Sequence, residues 1–356
     1  MNLNELCRQM EPPDESAMAQ AKARWDSIAK PLHGLGRLED MIVRIAGITG
    51  TADVELSRKG VLVFCADNGV VAEGVSQTDS AVTAAVAENI ALGRGNISAI
   101  ADAAGAEVFA IDIGIERELS VEHLRREKIA FGTKNFAREP AMTREEAERV
   151  IDTGIRLVKE KRDEGFRILA TGEMGIGNTT SSSAVLSVLL GLPASRVTGR
   201  GAGLSDEGLR RKRDVIERAV ALHRPDPHDP VDVLSKVGGL DIAGMTGVFL
   251  GGALYRVPVV IDGLISAAAA LLAKRLCPAA GGYMLASHLS REPAAKILFE
   301  ELGLSPVLHG GFALGEGTGA AMLFPLLDMA LSVYRQNTTF AKMRIPAYTP
   351  FQEEQL

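Results

Sequence analysis

Cysteine is scarce: Cys7, Cys65 and Cys277 are the only three in 356 residues. An odd, widely spaced set predicts reduced thiols, and with them a cytoplasmic enzyme rather than a disulfide scaffold or a zinc site. The six histidines, at 33, 123, 223, 228, 288 and 309, show no His-x-x-x-His spacing, and no Cys-x-x-Cys pair accompanies them. No metal centre is expected from such a set. Long apolar runs are missing as well. The most apolar region, Gly244–Ala273, is interrupted by Arg256, Pro258 and Asp262, which leaves runs too short for the roughly 20 residues that cross a bilayer. The N-terminus carries no basic-then-apolar signal pattern. Aromatic residues make up 4%, net charge is −6, and no basic stripe with interleaved aromatics occurs, which argues against nucleic acid as a partner. Three catalytic signatures are also absent: the Gly-Lys-Ser/Thr of a Walker A loop, a Gly-x-Ser-x-Gly elbow, and a Gly-x-Gly-x-x-Gly after the first strand.

What is present is an alternation of strand and helix signals. VLVFCAD (61–67), EVFAIDIG (107–114), FRILATGE (166–173) and VPVVIDG (257–263) read as buried strands. Near-continuous apolar strands separated by helices predict an α/β fold, a three-layer, Rossmann-like parallel sheet covered on both faces. These strands end in an acid beside a glycine, namely Asp67, Asp112, Glu173 and Asp262. Ligands in such sheets bind at the carboxyl ends of strands. Thr143 and Glu146 form a capping-box pattern ahead of a helix with a buried stripe through Ala147, Val150, Ile151, Gly154 and Val158. Further helices are expected from about Ser205 to Leu222, over 239–255 and over 263–276. The two ends, 1–50 and 327–356, lack strand signals and are expected to form a small helical domain together, with 51–326 as the large α/β catalytic domain.

Glycine-rich loops carry the chemistry. In TGEMGIGNTTSSSA (171–184), Asn178 reads as an N-cap with Thr179, Thr180 and Ser181 in the first turn. Free amides and hydroxyls there suit a phosphate, although a ligand-free capped turn reads the same way. TGRGAGLS (198–205) is a second glycine loop, and the helix after it carries Arg210, Arg211, Lys212 and Arg213. Lys212 and Arg213 point about 100° apart, and the run reads equally as a solvated face. KVGGLDIAGMTGVFLGG (236–252) reads as close helix packing around Asp241, more than as a ligand loop. His228 reads as a turn residue, and His288 in ASHLS as either a core or a site residue. In GGFALGEGTGAAM (310–322), Glu316 stands between Gly315 and Gly317. It reads as a helix cap or as an approachable catalytic carboxylate, and both readings stay open at this point.

Seven stretches in order resemble the nicotinate-nucleotide–dimethylbenzimidazole phosphoribosyltransferases: KPLHGLGRLE (30–39), VFCADNGVVAEGVS (63–76), GEMGIGNTT (172–180), DVLSKVGGLDIAGMTGVFLGG (232–252), DGLISAAAAL (262–271), ASHLS (286–290) and LGEGTGAA (314–321). The resemblance implies transfer of the phosphoribosyl group of nicotinate mononucleotide to 5,6-dimethylbenzimidazole, giving α-ribazole 5′-phosphate and nicotinate with inversion at the anomeric carbon. It also implies a homodimer, small-molecule substrates and no cofactor. By position it makes Glu316 the general base and Glu173 a second acid near the reacting centre. It assigns Gly175, Ile176, Asn178, Thr179, Gly201, Gly203 and Lys212 to the nucleotide and its phosphate. Thr78, Val86, Met174, Ser290 and Leu314 fall to the base pocket. The chain departs from the family at His33-Gly34, where Gly-Ser is usual, and at Asn68, where the family has His. Thr78 and Val86 stand where members carry a Ser and a Gln. A related enzyme using a purine or phenolic acceptor shares everything but this pocket. A non-catalytic nucleotide-binding regulator would keep the glycine loops and need neither acid.

Overall fold

The computed structural model describes residues 3–335 and 338–349. Six parallel strands form one sheet: β1 (Lys59–Ala66), β2 (Ala106–Gly114), β3 (Arg125–Arg126), β4 (Ile168–Met174), β5 (Val259–Ile261) and β6 (Met284–Ala286). Their order is β3-β2-β1-β4-β5-β6, the Rossmann order, whose reversal between β1 and β4 opens a crevice at the carboxyl ends. Each expected strand is found. β3 and β6 have no counterpart in the sequence reading, because two or three residues are too few to show a period.

Side chains of β1 alternate between two cores. Leu62, Phe64 and Ala66 face one layer of helices, while Val61, Val63 and Cys65 face the other. The first layer holds the helices Arg144–Asp163, Asn178–Leu190, Leu240–Tyr255 and Leu264–Leu276; the second holds Arg37–Thr49, Ala81–Ala91, Asn96–Ala103 and Thr318–Arg335. The capping box at Thr143 forms with both hydrogen bonds in place. The glycines of 236–252 do serve packing: a Cβ on Gly247 would run into the carbonyl oxygen of Ile151, and one on Gly154 into that of Gly244. Backbones of the two helices therefore touch directly.

The ends of the chain meet. The rings of Trp25 and Tyr334 lie 5.0 Å apart, Arg24 Nε donates to the Tyr334 carbonyl at 3.1 Å, and Ile28 bridges to Thr339. Trp25 and Tyr334 also belong to the core on one face of the sheet. Residues 1, 2, 336, 337 and 350–356 of the expected helical domain lie outside the described residues. The expectation of reduced thiols is corrected here. Cys7 and Cys277 form a disulfide with Cα atoms 5.3 Å apart, 270 residues apart in sequence, and only Cys65 is free. Spacing carries no signal for a pair that only tertiary folding brings together. Among the described residues no helix is long and apolar enough to cross a membrane.

Candidate active site

A cavity of about 200 Å³ opens at the carboxyl ends of β4 and β5. Glu173, Met174, Gly175, Ile176, Asn178 and Thr179 line it from the β4 side, and Gly201, Ser290, Leu314 and Glu316 come from three further loops. These last residues are distant in sequence from β4, so the fold alone brings them together.

Glu316 is 7% exposed and sits at φ 61°, between Gly315 at 81° and Gly317 at 88°. Three successive left-handed residues turn the chain sharply, and a non-glycine there is strained. The turn swings the side chain away from its own helix. Glu316 Oε2 accepts from Ile97 N at 3.2 Å and Oε1 from Asn96 Nδ2 at 3.3 Å, at the start of a different helix. Its own helix, Thr318–Arg335, is capped instead by Asp262, which accepts from Gly317 N at 3.3 Å and Ala320 N at 2.9 Å. The simple reading of Glu316 as the cap of the following helix therefore fails, since Asp262 occupies that role.

Glu173 is buried at the end of β4. Asn178 Nδ2 donates both to Glu173 Oε2 and to Asp241 Oδ2, the latter at 2.9 Å. One amide thus holds two carboxyls. Burial, then the neighbouring Asp241 charge, pushes the Glu173 carboxyl well above the usual range. Burial raises Asp241 to about 6, against the hydrogen bonds from Asn178 and the Ile242 amide. Asp262 is raised by burial too, while nearby His288 is lowered by its own burial. The sequence pattern makes Asn178 an N-cap. Gly177, at φ 93°, takes that position instead, because the Asn178 side chain is drawn inward by the two acids.

Beside the cavity, behind Thr179, lies a buried ammonium. Lys212 is 1% exposed and its Nζ donates to Thr179 Oγ1 at 2.8 Å. A Cβ on Gly201 would lie 3.6 Å from that Nζ. Burial lowers the Lys212 ammonium to about 8, with Glu292 pulling it back up. The neighbouring Arg211 and Arg213 turn elsewhere, to Glu207 and the Thr198 carbonyl. One desolvated ammonium, a hydroxyl and the glycine backbone thus meet here, a set whose chemistry suits an anion.

Two base-pocket candidates, Thr78 and Val86, and two nucleotide candidates, Gly203 and Lys212, stand outside this lining. Thr78 is exposed and Val86 packs its half-buried side chain against the hydrophobic core. The Gly203 carbonyl accepts from Gln77 Nε2. Asn68 is buried beside the acid pair: its Oδ1 accepts from Ser181 Oγ at 2.7 Å. His33 sits at φ 53°, a conformation natural to glycine and tolerated by His. Asp262 and Glu292 also line the cavity, and Asp241, read from sequence as part of close helix packing, stands behind Asn178. The strand-end pattern pointed at Asp262, and nothing pointed at Glu292. Asp67 and Asp112, the other strand-end acids, bind the amides of Glu116 and Ile115.

The buried acids make a prediction about stability. Asp241 holds its proton more tightly folded than unfolded, so the folded state is favoured at low pH and that advantage is lost as pH rises through about 6. Asp241→Asn keeps the acceptor for Asn178 and removes the charge. Its stability relative to wild type should grow by about 1 kcal/mol between pH 5 and pH 8, read from urea unfolding at both pH values. A gap that shrinks over that interval contradicts a buried, charge-penalised Asp241.

A Rossmann-ordered sheet whose crevice gathers a desolvated ammonium, glycine backbone and buried carboxyls suits an enzyme that acts on a phosphorylated substrate. Residues 10–345 match the family described as Phosphoribosyltransferase. The chain belongs to the nicotinate-nucleotide–dimethylbenzimidazole phosphoribosyltransferases. It is 45% identical over 350 residues to the protein of that name from Clostridium acetobutylicum, covering 98% of this chain and 99% of the relative. The protein of the same name from Acetivibrio thermocellus is 47% identical, covering 94% and 95%. The crystal structure of CobT from Thermus thermophilus superposes with a TM-score of 0.89 at 41% identity, covering 93% of this chain and 99% of that one.

Proposed function

We propose that this chain transfers the phosphoribosyl group of nicotinate mononucleotide to 5,6-dimethylbenzimidazole. The observation that carries the reading is a cavity lined by Thr179, Gly201, Glu173 and Glu316, with Lys212 adjoining. The 5′-phosphate binds at Lys212 and Thr179. A ring nitrogen of the base attacks the anomeric carbon from the face opposite nicotinate; that C–N bond forms as the bond to the pyridinium breaks, and configuration inverts. The pyridinium leaves as a neutral ring. The attacking benzimidazole becomes cationic and must lose its other N–H proton, which Glu316 takes as general base. The carboxylate also offsets charge on the sugar in the transition state, as in glycosyl transfer. Glu173, held high by burial, is a second proton-holding group beside the reacting centre. Met174, Ser290 and Leu314 border the space left for the base. The terminal helices are proposed to act as one small helical unit, and the enzyme to work as a homodimer.

Chromatography of pure protein incubated with both substrates tests the reading. It expects released nicotinate and a new α-riboside in equal amounts. Intact nicotinate mononucleotide after incubation contradicts it. Adenine consumed in preference to dimethylbenzimidazole would move the enzyme to the purine-using alternative. Lys212→Ala should raise the KM for the nucleotide by about 10- to 100-fold, as loss of a charged hydrogen bond does, while Arg211→Ala changes it little. Equal effects of the two substitutions would remove Lys212 from the phosphate.

A further inference from the structure

Glu292 has the wrong charge for its place. It lines the same cavity as Thr179 and Gly201, two members of the set that suits an anion. Its carboxyl packs so closely on the Cα of Gly199 that no Cβ fits there. Glu292 Oε2 is buried and has no hydrogen-bond partner among the described residues. A buried carboxylate oxygen without a donor is costly, and a bound phosphate would add repulsion of like charges. The neighbouring Lys212 ammonium donates to Thr179 Oγ1 instead.

A phosphoribosyl group supplies the donors this side chain lacks. Between its phosphate and its anomeric carbon it carries two vicinal hydroxyls. Oε2 is sealed against Gly199, while Oε1 is not and has two lone pairs to offer, enough to take both hydroxyls of a diol, as acids do for ribose in dinucleotide sites. We propose that Glu292 is the ribose-recognition residue of this site: its carboxylate accepts hydrogen bonds from the 2′- and 3′-hydroxyls and selects ribosyl over deoxyribosyl nucleotides. This rests on the phosphoribosyl transfer proposed above. Glycine at 199 is then required so that the carboxylate can lie flat against the loop.

The experiment compares kcat/KM for nicotinate mononucleotide and its 2′-deoxy and 3′-deoxy analogues in wild type, Glu292→Gln and Glu292→Ala. Comparing ratios between enzymes cancels the intrinsic reactivity of each sugar. Glu292→Ala should lower kcat/KM for the ribosyl substrate by about 10- to 100-fold and cost each deoxy analogue, which keeps only one of the two hydroxyls, several-fold less. Glu292→Gln, which keeps the packing on Gly199, should lose less in the same direction. Equal losses on all three nucleotides would overturn the assignment and leave Glu292 as a charge partner of Lys212. Titration calorimetry with ribose 5-phosphate and 2-deoxyribose 5-phosphate is read alongside and needs no turnover. If wild type releases no nicotinate, the transfer reaction fails as a reading, and the calorimetry still decides Glu292: a ribosyl preference that Glu292→Ala abolishes supports it, and one that survives overturns it.

Discussion

Glu316→Gln is expected to lower turnover by about 10²–10⁴-fold, the range for losing a general base, with little change in the KM for the nucleotide. The substitution is nearly isosteric. The amide oxygen of Gln can still accept from Ile97 N, which now holds Oε2 at 3.2 Å, so the strained turn at 315–317 should survive. What disappears is the capacity to accept a proton from the base. Steady-state kinetics at saturating nucleotide check this, and turnover within a few-fold of wild type would take Glu316 out of the mechanism.

A smaller change that removes no titrating group should act nearly as strongly. Gly172 lies in β4 with its Cα against the backbone of the Glu316 turn. A Cβ there would overlap the carbonyl oxygen of Glu316 and come within 3.0 Å of Gly317 N. Those neighbours are backbone, so no side chain can swing aside. Gly172→Ala must push strand and turn apart, and a displacement of the order of 1 Å costs about 10²-fold in rate when it misplaces a catalytic group. Overpacking should also cost about 1–3 kcal/mol of stability. The expected pattern is a folded protein with lower unfolding midpoint, near-normal nucleotide KM and turnover down about 10²-fold. Unchanged turnover in a destabilised protein would show that the Glu316 turn tolerates movement, and would weaken the claim that its geometry matters.

The parallel sheet was legible because β1, β2 and β4 are long, apolar and separated by amphipathic helices, so period and length agree. β3 and β6 were not legible, at two and three residues. The helices 240–255 and 264–276 were found from their composition, and the close approach at Gly247 from its glycines. The site was legible where a motif sits on a strand end, as at Glu173. It was not legible where the fold decides direction. Asn178 looks like a cap in sequence, yet the acids behind it recruit its amide. Glu316 looks like the cap of its own helix, yet Asp262, from the end of β5, takes those amides and frees it. Lys212 is told from Arg211 and Arg213 only once the helix is seen against Thr179. Val86 aligns into a pocket through a segment without landmarks, and its helix turns it to the core. The Cys7–Cys277 pair and the approach of Glu292 to Gly199 are tertiary facts with no local pattern.

The central claim is that Glu316 removes the proton the attacking base must lose. It is tested most directly by comparing Glu316→Gln with wild type on two acceptors, 5,6-dimethylbenzimidazole and its N-methyl derivative. The N-methyl base attacks through its free nitrogen in the same way but has no N–H to surrender, so its product stays a cation. The account predicts a deficit of about 10²–10⁴-fold on the first base, falling to a small residual factor on the second, where only the electrostatic part remains. A deficit of the same size on both bases would contradict it.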